Sequence, residues 1–559
     1  MFYKLIHTRI RYIFLFVFII LLCVIIKVFY IEVISYNKLK NLSDDLYSRN
    51  LPIKADRGKI VDRNGLVLAD NITTTSLVLV PRQIKNKEKV AKDLSDILGT
   101  SYEDMLAHVS KKTSVERVHP EGRRLSYETS DKINALNYDG VYLLKESKRY
   151  YPYKELLSHT LGYVGIDNQG LSGLELIYDE YLKGEDGSIK YFSDGKGNRL
   201  KMAQVYESPT DGITIALTID LNLQKAVEGA LDEIVSKYTP EHALILAMDP
   251  QSGEILAMGS RPGFDPNNYK DYDTETINRN LPIWMTYEPG STFKIITLAS
   301  SIEEKTIDLF KDTFTDSGSI NVEGATLHCW KHGGHGTQTY LEVVENSCNP
   351  GFVSMGQKLG TQKLMSYIKS FGFGQKTGID LNGESNGILF NINKMGPVET
   401  ATTAFGQGIS VTPLQQITAV SAAVNGGNLY KPYIVKSLMN ESGALLDYNE
   451  KVLVKKVISE DTSSLVRFTL ESVVANGTGR NAYIENYRVG GKTGTAQKVV
   501  DGKYSSSSYI LSFVGFMPAD IPQIVIYVAI DGAKNVTQYG GTASAPVAKS
   551  ILTSAIDIL

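Results

Sequence analysis

The hydrophobic pattern of the chain opens with an unbroken apolar run. Every residue from Tyr12 to Ile26 is apolar, and the run resumes after Lys27 and continues through Ile31. About 20 apolar residues are enough for a helix to cross a hydrocarbon core of roughly 30 Å. The stretch that follows, "YIEVISYNK", lacks the small-residue cleavage site of a secretory signal peptide. The pattern therefore predicts a transmembrane helix over residues 12–31.

Basic residues near the start predict how this helix is oriented. Lys4, Arg9 and Arg11 precede it, and an excess of Lys and Arg marks the cytoplasmic side of a membrane span. We expect a cytoplasmic tail over residues 1–11, a cell-membrane location through this single pass, and an extracytoplasmic body. Residues 32–50 are polar and helix-compatible, which indicates a stalk.

Short alternating segments follow the stalk. "RGKIVDRNGLVLADN" predicts a hairpin that turns at Asn64 and Gly65, because Asn-Gly is a strong signal for a two-residue turn between strands. Charged helical stretches and short strands continue from there, with one helix expected from about Leu174 to Leu182. These patterns predict an α/β pedestal domain over residues 51–210.

A second domain is predicted over residues 211–559. The apolar positions of "ITIALTI" alternate and predict a strand, and a helix with apolar residues at helical spacing follows it. "HALILAMDPQSGEILAMGS" predicts a hairpin, and three more strands and a last helix are expected near the C-terminus. Strands at both ends with helices between them indicate one sheet that the C-terminal part completes, in a multi-domain α+β protein.

Composition narrows the range of partners. The 559 residues carry a formal net charge of −3, so the charge balance does not indicate a polyanion-binding surface. Nucleic acid is therefore not expected as a partner. No organic cofactor is expected either.

The segment "EPGSTFKIITLASSIEE" contains the first candidate for chemistry. Ser291 and Lys294 lie three residues apart at the start of a predicted helix and share one face, so the amine can reach the hydroxyl. Serine is a weak nucleophile without an adjacent base, and lysine acts as a base only when burial or a second cation lowers its pKa. Taken alone, the pair also fits a capping serine beside a solvated lysine.

Ser347 and Asn349 form the second candidate motif, S-x-N. The T-x-x-E of residues 339–342 predicts a capping box for the helix before them. Pro350 suits the first turn of the next helix, with Asn349 as its cap. In the loop between the two helices, Ser347 and Asn349 are expected to point the same way, and Cys348 the other way.

The third candidate motif, K-T-G, occurs twice. The copy at Lys376 lies in a stretch rich in Gly and Asn without strand alternation, which indicates a loop. The copy at Lys492 lies on a predicted strand, where Gly490 and Gly491 allow another backbone to approach closely. We therefore expect the copy at Lys492 to be the functional one.

The motifs S-x-x-K, S-x-N and K-T-G, in this order, resemble those of penicillin-binding proteins and β-lactamases. "RGKIVDRNG", "GLSGLELIYDEYLKG" and "AFGQGISVTPLQ", together with the single span, resemble class B penicillin-binding proteins over nearly the whole chain. "CWKHGGHGTQTYLEVVENSCNPGF" most resembles the elongation and sporulation members of spore-forming Firmicutes. The resemblance implies a dimerisation-type pedestal and a serine β-lactamase-like transpeptidase domain. The N-terminal section does not resemble a glycosyltransferase domain, which excludes class A.

The resemblance implies a peptidoglycan D,D-transpeptidase that cross-links stem peptides and is inhibited covalently by β-lactams. Ser291 is implied as the nucleophile and Lys294 as its base, kept neutral by the charge of Lys492. Ser347 is implied to relay a proton to the leaving amine. Asn349 is implied to hold Lys294 and the substrate amide.

The same resemblance implies the residues that bind substrate. Thr493, Gly494 and Thr495 are implied to hold the terminal carboxylate of the stem peptide, and the N–H groups of Ser291 and Thr495 to form the oxyanion hole. A transpeptidase without its own glycosyltransferase is also implied to work with a membrane glycan polymerase, for which the span and the pedestal are the available docking surfaces.

A cluster of Cys and His surrounds the S-x-N motif. Outside the membrane, a disulfide between Cys329 and Cys348 is the default expectation. The spacing C-x2-H-x2-H-x12-C instead supplies the ligand types of tetrahedral zinc, through Cys329, His335 and Cys348 with His332 or Asp316 as the fourth. The histidines favour one structural zinc that braces the loop, and the disulfide remains the alternative.

Two other functions compete with a transpeptidase. A serine β-lactamase needs a positioned base for deacylation, and the nearest acidic cluster, "NGESNG", does not match that pattern. A non-catalytic β-lactam-binding receptor or scaffold is disfavoured because every residue of the three motifs is intact. The sequence does not distinguish elongation, division and sporulation.

Overall fold

The structure is a computed structural model. It describes residues 2–40, 48–113, 115–193, 199–500 and 503–558, so the predicted stalk lies partly outside the described residues. The chain divides into two compact units, one formed by residues 1–56 and 184–211 and the other by residues 57–183 and 212–559.

A long apolar helix begins the first unit. Helix α1 spans Phe2–Phe29, and one π-helical turn, Tyr30–Ile34, follows it. By length and composition, residues 2–34 are able to cross a membrane. The helix therefore fits a single-pass membrane anchor, at the place where the apolar run predicts one.

An antiparallel sheet of three strands also belongs to the first unit. Its strands are β1 (Ser48–Ile53), β6 (Gly187–Ser193) and β7 (Arg199–Glu207), in the order β1-β6-β7. Segments that are more than a hundred residues apart in sequence thus pair in one sheet.

The second unit contains the remaining elements. Its helices are α2 (Lys87–Leu98), α3 (Tyr102–Ser110), α4 (Tyr127–Leu136), α5 (Ser158–Leu161), α6 (Gly173–Ile177), α7 (Asp179–Leu182), α8 (Leu221–Tyr238), α9 (Thr274–Asn278), α10 (Leu281–Trp284), α11 (Lys294–Glu303), α12 (Tyr340–Glu345), α13 (Asn349–Leu359), α14 (Thr361–Ser370), α15 (Pro397–Ala404), α16 (Pro413–Val424), α17 (Glu460–Ala475) and α18 (Gly540–Ala555). Its strands are β2 (Ile60–Val61), β3 (Val67–Leu79), β4 (Glu116–Arg117), β5 (Val141–Tyr150), β8 (Thr214–Leu217), β9 (His242–Met248), β10 (Ile255–Arg261), β11 (Thr313–Asp316), β12 (Ser319–Val322), β13 (Ala325–His328), β14 (Gly336–Thr339), β15 (Asn428–Tyr430), β16 (Val435–Met439), β17 (Leu445–Tyr448), β18 (Leu453–Lys456), β19 (Gly490–Val500), β20 (Lys503–Met517) and β21 (Ile524–Asp531).

The first sheet of this unit has the order β17-β16-β8-β2-β3-β4, with β5 beside β3. Strands β2 and β3 form the predicted hairpin, and Gly65 in its turn has a φ of 87°. Strand β8 pairs with β2 on one side and with β16 on the other. Strands from both sides of residue 211 therefore share one sheet, and the boundary between residues 210 and 211 stays a prediction.

The helix predicted from about Leu174 to Leu182 is instead two short helices, α6 and α7. Tyr178 leaves the helical conformation between them, with φ −102° and ψ 21°. Directly after this break, Asp179 accepts a hydrogen bond from Arg57 Nη1 over 2.6 Å. This tertiary ion pair lies directly beside the break, where the sequence pattern alone predicts a continuous helix.

The sheet beside the candidate site has the order β10-β9-β21-β20-β19 and is antiparallel throughout. The predicted β9–β10 hairpin pairs through β9 with β21, so the C-terminal strands complete the sheet as expected. Successive residues of β9 face opposite sides. Ala243, Ile245 and Ala247 pack in the core that holds α8 and α18, and Leu244, Leu246 and Met248 pack in the core that holds α11, α13 and α16.

Candidate active site and a neighbouring metal-ligand cluster

Ser291 lies on a single 3-10 turn, Gly290–Thr292, immediately before α11. Gly290 has a φ of 54° and donates its N–H to the carbonyl of Gly406 over 3.1 Å, a conformation that glycine adopts at no steric cost. Ser291 borders a cleft of about 290 Å³. The same cleft is lined by Trp330, Ser347, Asn349, Thr493, Thr495 and Tyr539. The three predicted motifs therefore meet at one place.

Lys294 is buried beside this cleft, with 1% of its surface exposed. Its Nζ donates to Asn349 Oδ1 over 2.7 Å and to the Ser347 carbonyl over 2.9 Å, and it lies 3.2 Å from Ser347 Oγ. Burial lowers the pKa of Lys294 to about 7, although the nearby thiols of Cys348 and Cys329 oppose that shift. The alternative of a solvated lysine is therefore wrong, and the amine is suited to act as a base.

The S-x-N motif occupies the turn between α12 and α13. Helix α12 begins with the predicted capping box. Ser347 has a left-handed backbone with a φ of 52°, which is uncommon for any residue other than glycine. The N-cap of α13 is Cys348, so the prediction of Asn349 as the cap is wrong. The side chain of Asn349 is instead bound to Lys294.

Ser347 and Asn349 point the same way, as predicted, and Cys348 points away from them. Both polar side chains contact Lys294 Nζ. The Sγ atom of Cys348 instead donates to Asp316 Oδ2 over 3.3 Å. The polar side chains of the S-x-N motif and the cysteine cluster therefore lie on opposite sides of the same turn.

Lys492 lies on β19 and is fully buried. Its Nζ donates to Ser347 Oγ over 2.8 Å and to the Thr493 carbonyl over 3.2 Å. Burial, and then the charge of Lys294, lower the pKa of Lys492 well below its usual range. The two buried amines share one serine hydroxyl, so we expect their protonation states to be coupled.

Gly494 brings β19 close to the turn that carries Ser291. A β-carbon at this position would lie 2.3 Å from Ser512 Oγ and 3.0 Å from Thr292 Cγ2. The first distance is far below van der Waals contact, so the side chain of Ser512 would have to move to admit a β-carbon here. The predicted substrate position Gly494 is therefore occupied by glycine for a steric reason.

Thr493 and Thr495 flank this glycine and line the cleft. Thr493 Oγ1 donates to Thr478 Oγ1 over 3.3 Å. The N–H of Gly540, at the start of α18, donates to Thr495 Oγ1 over 3.1 Å. Both threonine hydroxyls therefore form hydrogen bonds with residues outside β19.

The other K-T-G copy lies apart from this cleft. Lys376 is exposed and lies outside the helices and strands, as predicted. The hydroxyl and N–H of Thr377 donate to Glu384 Oε1 over 2.5 and 2.6 Å. The threonine of this K-T-G copy therefore forms a local contact with Glu384, seven residues later in the same loop.

Four of the predicted metal ligands come together on the far side of the S-x-N turn. The ligand atoms of Asp316, Cys329, His335 and Cys348 all lie within 4.8 Å of one another. His335 Nδ1 is 2.9 Å from Asp316 Oδ2 and 3.4 Å from Cys329 Sγ. His332 is exposed and is not part of this group.

The electrostatics of the cluster favour the deprotonated forms of Cys329 and Asp316 and the protonated form of Cys348. The neighbouring thiol of Cys348 lowers the pKa of Cys329 to about 6, and the same interaction raises the pKa of Cys348. Burial alone would raise the pKa of Asp316, but hydrogen bonds, the largest of them to Cys329, lower it to about 2. Both cysteines are free thiols in the structure. Thiolate, carboxylate and imidazole together form a donor set that suits zinc.

Trp330 and Tyr539 are cleft residues that the sequence did not identify. Their ring centroids lie 5.6 Å apart. Trp330 follows Cys329 directly and lies inside the Cys- and His-rich stretch, which is the only local signal for it. Tyr539 comes from the start of α18, far away in sequence. No local pattern predicts that the two segments meet.

Comparisons with known proteins agree with this fold. The penicillin binding protein transpeptidase domain matches residues 243–553, and the penicillin-binding protein dimerisation domain matches residues 52–217. Stage V sporulation protein D of Bacillus subtilis is 52% identical over 553 residues, which cover 99% of this chain and 86% of that protein. The peptidoglycan D,D-transpeptidase FtsI homolog of Mesostigma viride is 32% identical over 561 residues, covering 95% of this chain and 92% of that protein.

Solved structures share the architecture. Penicillin Binding Protein 2X from Streptococcus thermophilus has a TM-score of 0.75 and 24% sequence identity, and the match covers 91% of this chain and 80% of that protein. A peptidoglycan synthetase from Bifidobacterium adolescentis has a TM-score of 0.73 and 26% sequence identity, and the match covers 91% of this chain and 96% of that protein.

The fold and the matched domains define a penicillin-binding protein with a dimerisation domain and a transpeptidase domain. The chain belongs to that family, in its class B. It is a D,D-transpeptidase, which confirms the class and the enzymatic activity expected from the sequence.

Proposed function

We propose that this transpeptidase cross-links peptidoglycan stem peptides through an ester on Ser291. Ser291 Oγ attacks the carbonyl carbon of the penultimate D-alanine, and Lys294 takes the hydroxyl proton. The C–N bond to the terminal D-alanine then breaks, and Ser347 passes a proton to the leaving amine. An amino group of a neighbouring stem peptide attacks the ester, forms the new amide and releases Ser291 as a hydroxyl.

The burial of Lys294 is the observation that carries this proposal. A lysine that is 1% exposed and has a pKa near 7 is available as a neutral base at physiological pH. Its hydrogen bonds to Ser347 and Asn349 hold the amine beside the proposed proton relay. Lys492, on the other side of Ser347 Oγ, completes the path for the proton.

The cleft side of β19 supplies the substrate contacts. Thr493, Gly494 and Thr495 hold the terminal carboxylate, and the N–H groups of Ser291 and Thr495 stabilise the oxyanion of the tetrahedral intermediate. A β-lactam carries a carboxylate and a reactive amide, so it acylates Ser291 in the same way. After the ring opens, the leaving nitrogen remains covalently attached to the acyl group. It therefore does not diffuse away, and the ester on Ser291 persists.

Covalent labelling with a fluorescent penicillin tests the proposal. The wild type should be labelled once per chain, and Ser291→Ala should not be labelled while its melting temperature is unchanged. Turnover of a donor and an acceptor stem peptide then separates the enzyme from a receptor that only binds β-lactams. Rapid release of hydrolysed penicillin would indicate a β-lactamase instead.

We also propose one structural zinc bound by Asp316, Cys329, His335 and Cys348. Tetrahedral zinc with bonds of about 2.0 to 2.3 Å separates its ligand atoms by roughly 3.3 to 3.8 Å, and the four ligand atoms lie within 4.8 Å of one another. The metal would brace the S-x-N turn from the side opposite Lys294. It would take no part in acyl transfer.

The anchor suggests where this chemistry takes place. We propose that residues 1–11 are cytoplasmic, that residues 12–31 cross the membrane, and that the pedestal of residues 51–210 and the transpeptidase domain of residues 211–559 are extracytoplasmic. A membrane glycan polymerase supplies the strands that are cross-linked. The 52% identity to a sporulation protein favours synthesis of the spore cell wall.

A further inference from the structure

Three successive carbonyl groups in the turn Glu345–Ser347 are held by three different parts of the fold. The first accepts a hydrogen bond from the N–H of Thr478 over 3.1 Å, the second from Trp330 Nε1 over 2.9 Å, and the third from Lys294 Nζ over 2.9 Å. The left-handed backbone of Ser347 (φ 52°) is a conformation that persists only when its surroundings enforce it. The three donors supply that constraint.

Trp330 differs from the other two donors because it also faces the cleft. Its side chain borders the cleft and is 49% exposed. One edge of the ring contacts His335, with centroids 5.5 Å apart, and the ring also contacts Tyr539. Water could satisfy a half-exposed indole N–H, so stability alone does not require its bond to the Asn346 carbonyl.

We propose that Trp330 is a positioning residue for Ser347, and that its exposed face packs against the acyl group in the cleft. The indole N–H fixes the carbonyl of residue 346, directly before Ser347, and thereby keeps the Ser347 hydroxyl between the two lysines. The proposal rests on the role proposed above for Ser347 as the proton relay. It assigns to Trp330 no contact with the transferred proton.

The first test compares the two tryptophans of the chain. Trp330→Phe keeps an aromatic ring and removes the N–H donor. Trp284→Phe is the matched control, because Trp284 is also exposed (42%) and packs against Arg279 at the end of α10. The limiting rate of acylation by penicillin should fall about fivefold to tenfold in Trp330→Phe, which corresponds to one lost hydrogen bond. In Trp284→Phe it should stay within about twofold of the wild type.

The kinetic constant that changes in Trp330→Phe distinguishes a positioning role from a binding role. A misplaced proton relay lowers the limiting acylation rate, whereas a lost contact weakens the complex that precedes acylation. Wild-type acylation by Trp330→Phe, or a loss that matches a lower fraction of folded protein, would overturn the proposal. If the wild type itself is not acylated, the proposed function fails instead.

The second test uses Trp330 as its own probe. The chain has two tryptophans, so Trp330 is the only one in Trp284→Phe. Acylation of this variant by a non-fluorescent penicillin should shift the emission to shorter wavelength and reduce its quenching by acrylamide about twofold or more, because the acyl group covers the ring. Unchanged emission and quenching in fully acylated protein would contradict the contact with the acyl group, even if Trp330→Phe does not fold.

Discussion

Lys492 Nζ donates a hydrogen bond to Ser347 Oγ over 2.8 Å, although 145 positions separate the two residues. The same hydroxyl lies 3.2 Å from Lys294 Nζ. One serine thus bridges two buried amines that come from a helix and from a strand. In the proposed mechanism this bridge carries the proton from Ser291 to the leaving group, so each of its members is open to a direct test.

Lys492→Ala should lower the rate of acylation by penicillin about 10²-fold or more. The substitution removes the buried amine that donates to Ser347 Oγ and holds this hydroxyl beside Lys294. Stopped-flow or quenched labelling measures the rate, and melting temperature shows whether the protein is folded.

Lys376→Ala is the matched control, because it removes the same side chain from the same K-T-G sequence. Lys376 is exposed and lies in a loop outside the cleft, so its variant should acylate at the wild-type rate. If Lys376→Ala were impaired and Lys492→Ala were not, the assignment of the functional K-T-G copy would be wrong.

The acylation rate should rise with pH through about 7 and then level off. Burial lowers the pKa of Lys294 to about 7, and only its neutral form accepts the proton of Ser291. Lowering the pH protonates the amine, so the rate should fall on the acidic side of that value. Rates of penicillin labelling between about pH 5 and 9, with melting temperature followed in parallel, test this dependence.

A rate that rises only near the ordinary pKa of lysine would contradict this assignment. A Lys294→Arg variant is the control, since guanidinium stays protonated in this range. That variant should be inactive at every pH tested. Recovery of its activity at high pH would point to a different base.

The sequence predicted the parts of this site that local patterns determine. The capping box of α12, the β2–β3 turn at Gly65 and the strand that carries Lys492 follow from spacing and from turn chemistry. The N-cap of α13 was predicted wrongly, because Asn349 has a tertiary partner in Lys294 that outweighs its local preference for a cap.

What the sequence could not predict is which distant segments meet. Trp330 and Tyr539 form one wall of the cleft from positions more than 200 residues apart. The sequence also left open whether His332 or Asp316 is the fourth ligand of the cysteine cluster, because this depends on the pairing of two strands. Asp316 reaches the cluster because β11 pairs with β14, where its register partner is Gly336, next to His335.

The membrane anchor should contribute to the complex with a glycan polymerase. Replacing residues 2–34 by an unrelated single span keeps the protein in the membrane and removes its specific helix surface. Co-purification with the polymerase should then weaken. A chain that combines the new span with a mutated pedestal and still forms the full complex would show that neither surface is used.

The cysteine cluster should carry about one zinc per chain in protein prepared without added zinc or an affinity tag. Binding stabilises only the folded state in which the four ligands are together, so chelation should lower the melting temperature. Penicillin acylation should slow as well, because Ser347 and Asn349 flank the proposed ligand Cys348. Metal analysis, thermal melting with and without chelator, and labelling rates measure the three effects.

Two thiol variants make this prediction specific. Cys329→Ser removes a proposed ligand and should lower both metal content and melting temperature. Cys23→Ser removes the thiol in the membrane helix, far from the cluster in sequence, and should change neither. A disulfide predicts the opposite pattern, with no stoichiometric metal, no response to chelator and a lower melting temperature on reduction. Metal-free protein in which Cys329 and Cys348 do not titrate as free thiols under denaturing conditions would exclude the zinc site, since thiolate ligands become free thiols once the metal is lost.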